Sequence, residues 1–102
     1  MKTEQFAQWL KETKKYKKNV IQSRLSNCHR VERYYSDLDA HYKKDGGKHL
    51  SYSLSYSLRD EREKRLTLHV IPINGNLRKG TATLKQAIKL YIQFNREEAI
   101  QM

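Results

Sequence analysis

Four histidines, one cysteine and eleven carboxylates are the side chains of this 102-residue sequence that could carry acid–base, nucleophilic or metal chemistry. Their spacing argues against all three. His29, His41, His49 and His69 lie apart, with no cysteine or acidic partner at metal-ligand spacing. Asp37 and Asp39 stand two apart at an expected helix start, where capping explains them better than metal binding or acid–base work. Cys28 falls on the apolar face of an expected helix and reads as a buried thiol rather than a nucleophile. There is no Walker-type phosphate loop and no nucleophile elbow. The expectation is a protein that is not an enzyme, with no catalytic residue, no metal and no cofactor.

Binding chemistry is better represented. Asn19, Ser23, Ser26, Arg30 and Arg33 form one stripe along a helix expected at 20–35. Arginine can fork onto a guanine or a phosphate, and short polar side chains permit close approach to a duplex. The same stripe could equally be an ordinary solvated face. A second feature is the run Gly75 to Thr83, which contains Arg78, Lys79, Thr81 and Thr83 directly before the last helix. Backbone N–H groups at a helix start, flanked by cations and hydroxyls, suit a phosphate. A glycine-containing turn with Thr81 as N-cap is the structural alternative, and the two are compatible. Third, Lys15, Lys17 and Lys18 surround Tyr16 in a basic connector that could reach phosphates or simply face water. The last helix adds Lys85, Gln86 and Lys89 on its outer face, with Gln93 and Arg96 in the same phase.

The elements that must position these groups are mostly helical. Thr3 and Glu4 suit a helix start, and Phe6, Trp9, Leu10 and Thr13 follow at i, i+3, i+4 and i+7, which predicts a helix over 4–14. Asn19 with Gln22 makes a capping-box pattern before Ile21, Leu25, Cys28, Val31 and Tyr35. Ser36 with Asp39 makes another, and Gly46–Gly47 stops the short helix that follows. Residues 50–58 alternate as a half-buried strand would, yet Leu50, Leu54 and Leu58 also sit at helical spacing; helix over 48–56 is favoured. Ser57 and Asp60 could cap one more turn. Leu66 to Ile73 reads as extended, with Pro72 confining any strand to an edge, and Asn74–Gly75 as a tight turn. The final helix is expected over 82–96, with Leu84, Ala87, Ile88, Tyr91 and Phe94 inward and Glu97–Glu98 fraying.

Length and charge bound the rest. The sequence fits one domain, 1–102, of mainly α class, with four to five helices and an extended insertion at about 59–80 that could hold a short edge strand. Lys and Arg exceed Asp and Glu by ten, and the excess is spread over both halves, so it must lie on the folded surface. Such a field attracts polyanions, nucleic acid first among them. No secretory or membrane-spanning segment is visible and the one cysteine can form no internal disulfide, which together read as cytoplasmic with no membrane partner.

In order, the segments Phe6-Ala-Gln-Trp9-Leu10, Asn19 to Tyr35, Ser36-Asp-Leu-Asp39 and Thr83 to Phe94 resemble the N-terminal core-binding, SAM-like domain of tyrosine recombinases. The resemblance implies a four-helix clamp that touches DNA with its second and last helices. The recombinase catalytic domain has no room in this sequence, so the resemblance implies binding without strand transfer, and the Arg59–Gly80 stretch is longer than the usual loop of that family. Asp37–Gly47, Tyr56–Ser57, Ile71–Asn76 and Gly80–Leu84 also resemble a small module found beside restriction-type nucleases and in mobile-element proteins. The expected function is a DNA-binding module of bacterial or phage type, duplex DNA favoured, that contacts phosphates with helices 20–35 and 82–96. The rivals are a phage or mobile-element inhibitor, of anti-CRISPR or anti-restriction type, docking on a host nucleoprotein complex, and a protein–protein adaptor using Leu50–Leu58.

Overall fold

Apolar residues at helical spacing order this chain into six helices among the residues described by the computed structural model, which are 1–101: α1 (Thr3–Glu12), α2 (Lys18–Tyr35), α3 (Leu38–Asp45), α4 (Lys48–Ser53), α5 (Leu58–Arg62) and α6 (Leu77–Gln101). The expected mainly α bundle is the fold. Its spine is α6, whose 25 residues extend about 37 Å at 1.5 Å per residue. Helices α1, α2 and α4 all pack on it.

The inner face of α6 holds the core together. Leu84, Ala87, Ile88, Tyr91 and Phe94 are all buried, and they meet Phe6 and Leu10 of α1, Cys28 and Val31 of α2, Leu38 of α3 and Leu50 and Leu54 of α4. Phe6 stands edge-on to Tyr91 with ring centroids 5.0 Å apart and lies 5.4 Å from Phe94. Burying a side chain of this size contributes about 1.5–3 kcal/mol. The Tyr91 hydroxyl is satisfied as well, donating to Asp39 Oδ1 at 2.5 Å and accepting from the Lys2 backbone N–H at 2.8 Å.

Helix boundaries differ from the capping patterns at three places, each for a local reason. Asn19 does not cap α2; Lys17, with extended backbone, holds the N-cap position, and Asn19 lies exposed in the first turn. Ser36 does not cap α3 either. It ends α2 at φ +70°, donating its N–H to the Glu32 carbonyl, and Asp37 caps α3 by accepting from the Asp39 N–H. Helix α6 starts four residues before Thr81, because the Asn76 side chain accepts the Lys79 N–H at 2.9 Å and fixes the first turn there. It also runs on through Glu97 and Glu98.

The ambiguous Leu50–Leu58 segment is resolved by burial at i, i+4. Leu50 and Leu54 face the core, whereas Tyr52 is 66% exposed and Leu58 is 45% exposed, so helical phase prevails over alternation. The Ser57–Asp60 capping box is present in both directions and starts α5. Residues 66–73 form no strand among the described residues, which corrects the possible edge strand. They run instead as an irregular strap held by side chains: the Val70 N–H donates to the Tyr35 hydroxyl, and the Arg30 guanidinium donates to the Pro72 carbonyl.

Candidate nucleic-acid interface

The strap consumes two of the expected contacts. Its His69 is buried, accepts the Ile71 N–H on Nδ1 at 3.1 Å and shares a 2.9 Å hydrogen bond between Nε2 and the Thr81 hydroxyl. This arrangement suits a neutral ring with the proton on Nε2. Burial and the nearby Arg30 charge both hold its pKa below the ordinary value. Thr81 is 0% exposed and so is a core partner of His69, not a phosphate ligand. Arg30 is half-buried with its guanidinium committed to Pro72, which makes it a clamp for the strap.

The phosphate seat expected between Gly75 and Thr83 is likewise filled from within. The Lys79 N–H is taken by the Asn76 side chain and the Gly80 N–H by the Asn76 carbonyl. The Arg78 guanidinium lies 3.3 Å from the Glu61 carboxylate, and the Thr83 hydroxyl donates back to the Lys79 carbonyl. Gly80 lies inside α6, where any side chain would collide with Ile73. A helix beginning at Thr81 would leave these donors open. The earlier start of α6 turns them into ordinary intrahelical and capping bonds.

Lys15, Lys17, Lys18, Asn19, Ser23, Ser26, Arg33 and Lys79 are exposed. Asn19, Ser23, Ser26 and Arg33 share one face of α2, as their helical spacing requires. Ser26, Arg30 and Arg33 line a shallow depression on α2 together with Gln22, Leu25 and His29. Lys15, at φ +58°, belongs to the turn between α1 and α2.

The structure gathers cations along α6. Lys85, Gln86, Lys89 and Arg96 share an open depression, and Lys85, Lys89 and Arg96 also line the adjoining groove between α4 and α6. From the α4 side this groove receives Lys48, Ser51, Tyr52 and Ser55, and no acidic residue lines either part. Its geometry follows from the α3–α4 corner. Gly46 and Gly47 both take positive φ, and a Cβ on Gly47 would sit 2.7 Å from Ile92 Cδ1, so only glycine lets the corner reach α6. Lys85 Nζ is oriented by a 2.6 Å bond to Ser55 Oγ, while Lys89, Arg96 and Lys48 are exposed and form no ion pair among the described residues.

The acidic groups are occupied elsewhere. Glu32, Asp37 and Asp39 converge on the Met1 ammonium at 3.3, 2.7 and 3.4 Å. Burial opposes that charge, but the carboxylates prevail and raise its pKa to about 10. Asp60, Glu61 and Glu63 pair with Arg65, Arg78 and Arg59. Glu4, Glu12, Glu97 and Glu98 line a separate groove between α1 and α6. Sequence phase placed Lys85, Gln86, Lys89 and Arg96 on one face, but Lys48 and Tyr52 join them only through the docking of α4, a contact of long sequence separation that periodicity does not disclose.

Cys28 is buried, its thiol pushed up to about 12 mainly by burial, and its Sγ lies 3.5 Å from the Ala87 carbonyl. Among the described residues no group of three His, Cys, Asp or Glu could hold a metal ion, and no helix is long and apolar enough to cross a membrane. No protein-family model, curated protein or solved structure matches this chain.

Proposed function

We propose that this protein is a non-enzymatic nucleic-acid-binding module of bacterial or phage type that takes the phosphate backbone along α6, with Lys48, Lys85, Lys89 and Arg96 as its main contacts. The observation that carries this reading is the clustering of these four cations, on two helices, around a groove that no carboxylate lines. Each such cation that pairs with a phosphate releases a counterion condensed on the nucleic acid, and that release drives binding. Exposed Lys15, Lys17, Lys18 and Arg33 extend the field and speed encounter.

The test is an anisotropy titration of labelled duplex and single-stranded oligonucleotides at several salt concentrations. With about four phosphates engaged, affinity falls roughly 50-fold or more between about 50 and 200 mM salt. Lys89→Glu combined with Arg96→Glu weakens every nucleic acid at least tenfold and flattens that salt slope. Affinity indifferent to salt, or to the double reversal, overturns the reading.

A second reading, docking on a host nucleoprotein complex, draws on the strap. Leu66 is 92% exposed, Val70 70% and Leu68 58%, an apolar cluster that free nucleic acid does not require. For the adaptor reading built on Leu50–Leu58, Leu50 and Leu54 are core residues, and the segment offers Tyr52 and Leu58 as its exposed large hydrophobic side chains.

A further inference from the structure

We infer that the α4–α6 groove selects single-stranded over duplex nucleic acid, with Tyr52 as the platform on which a base stacks; this rests on the nucleic-acid reading above. Three observations converge on it. The groove is concave and small, about 330 Å³, a volume suited to a single nucleotide unit and not to a double helix. Tyr52 stands on its α4 wall with 66% of its surface exposed, the most exposed aromatic side chain among the described residues. The end of the groove is formed by Gly46, whose surroundings are open, and by Gly47, against which the half-buried Ile92 packs.

The chemistry of these parts is complementary to an unpaired strand. In a duplex the base faces are covered by their neighbours, and only base edges are offered in the grooves. An exposed phenol ring gains nothing there. In a single strand the bases can splay, and each offers a π-face to an aromatic ring whatever its sequence. The cations are placed to follow the attached backbone: Lys85 and Lys89 are four residues apart on α6, about 6 Å along its axis, and Arg96 lies about 10 Å further on. Ser51 and Ser55 add hydroxyls on the opposite wall, where Ser55 already orients Lys85. A stacking ring on one wall and a row of cations on the other is the layout of a sequence-tolerant single-strand site.

The experiment uses the whole chain with fluorescein-labelled oligothymidylate of about 12 nucleotides, a matching duplex, and a single strand carrying one 2-aminopurine. The wild type binds the single strand more tightly than the duplex and quenches 2-aminopurine. Tyr52→Ala lowers single-strand affinity roughly 5- to 100-fold and abolishes quenching, with duplex affinity changed less than about twofold. Tyr52→Phe keeps both the affinity and the quenching, because stacking needs the ring and not the hydroxyl. Tyr52 is on the surface, and an unchanged circular dichroism melt confirms that its variants fold. A wild type that prefers duplex but remains sensitive to Lys89→Glu overturns the single-strand inference and leaves the phosphate reading standing. Equal losses on both nucleic acids for Tyr52→Ala also overturn it. Failure to bind any nucleic acid overturns both.

Discussion

Helix α6 is flanked by two grooves of opposite charge. On one side Lys48, Lys85, Lys89 and Arg96 surround a cleft floored by Gly47 and Ile92. On the other, Glu4, Glu12, Glu97 and Glu98 surround a cleft floored by Trp9 and Phe94. Their interiors differ more than their signs. The acidic groove is partly self-satisfied: Gln8 donates to Glu12, Lys2 lies 3.5 Å from Glu98, and Lys14 Nζ sits 5.5 Å above the Trp9 ring. Its floor is continuous with the aromatic core, since Trp9 packs against both Phe6 and Phe94. The basic groove has almost no internal partners apart from the Lys85–Ser55 bond. Part of the net charge of +10 therefore faces one concave surface where the protein offers it no carboxylate, while the rest is spread over exposed cations such as Lys15, Lys17, Lys18 and Arg33.

Removing the aromatic floor of the acidic groove has the largest effect. Phe6 is fully buried, and truncation to alanine leaves a cavity next to Tyr91 and Phe94. Phe6→Ala should cost about 3–5 kcal/mol, read by urea unfolding, which is a large part of the stability of a domain this size. If the acidic groove is a by-product of core packing, nucleic-acid affinity measured well below the melting temperature stays unchanged. A selective loss of affinity in a fully folded variant would mean that α1 shares in binding.

How far these two regions could be read from residue order differs in the same way. The apolar phase of Leu84, Ala87, Ile88, Tyr91 and Phe94 located the inner face of α6 correctly, and so by subtraction its outer cations. That inference needs only local periodicity. The phosphate seat failed because Asn76 was available as an earlier cap, and both Asn76 and Thr81 are acceptable at that position. Competing caps are settled by what the next turn packs against, here the burial of Thr81 beneath His69. The roles of Arg30 and His69 were hidden for a related reason, since both act on the 66–73 strap, which carries no regular hydrogen-bonding pattern of its own. Tyr52 and Lys48 were legible as exposed only after α4 proved helical, and as part of a site only after it docked on α6.

The strap gives a smaller effect that depends on pH. His69 is held neutral because its Nδ1 accepts the Ile71 N–H, and protonation would turn that acceptor into a donor facing a donor. Burial, then the charge of Arg30, lowers its folded pKa below the ordinary 6.5. Between the folded and unfolded values the unfolded chain binds more protons, so stability rises with pH there. The contribution of His69 is therefore complete above about pH 6.5 and is lost as pH falls below it, by at most about 1.4 kcal/mol per pH unit. Thermal melts from pH 7.5 down to 5.5 should show a steeper decline for wild type than for His69→Gln. Parallel curves would remove the histidine from the account of how the strap is held.

The smallest effect concerns how far the charge of one groove reaches the other. Helix α6 separates the two grooves by about 10–12 Å, its diameter with side chains. At about 0.15 M ionic strength the Debye length is about 8 Å, so carboxylates on the far side are largely screened from a strand in the basic groove; at about 0.01 M it is about 30 Å, and they are felt. Glu4→Gln combined with Glu97→Gln removes two of the four acidic charges without touching the core, since neither residue is buried. Nucleic-acid affinity should rise by about twofold at low salt and by nothing measurable at about 0.15 M, the range over which screening closes. A gain that persists at the higher salt would place the bound strand within direct reach of the acidic side. The path across the molecule would then cross α6 and not follow its basic face, and the two grooves would be parts of one surface.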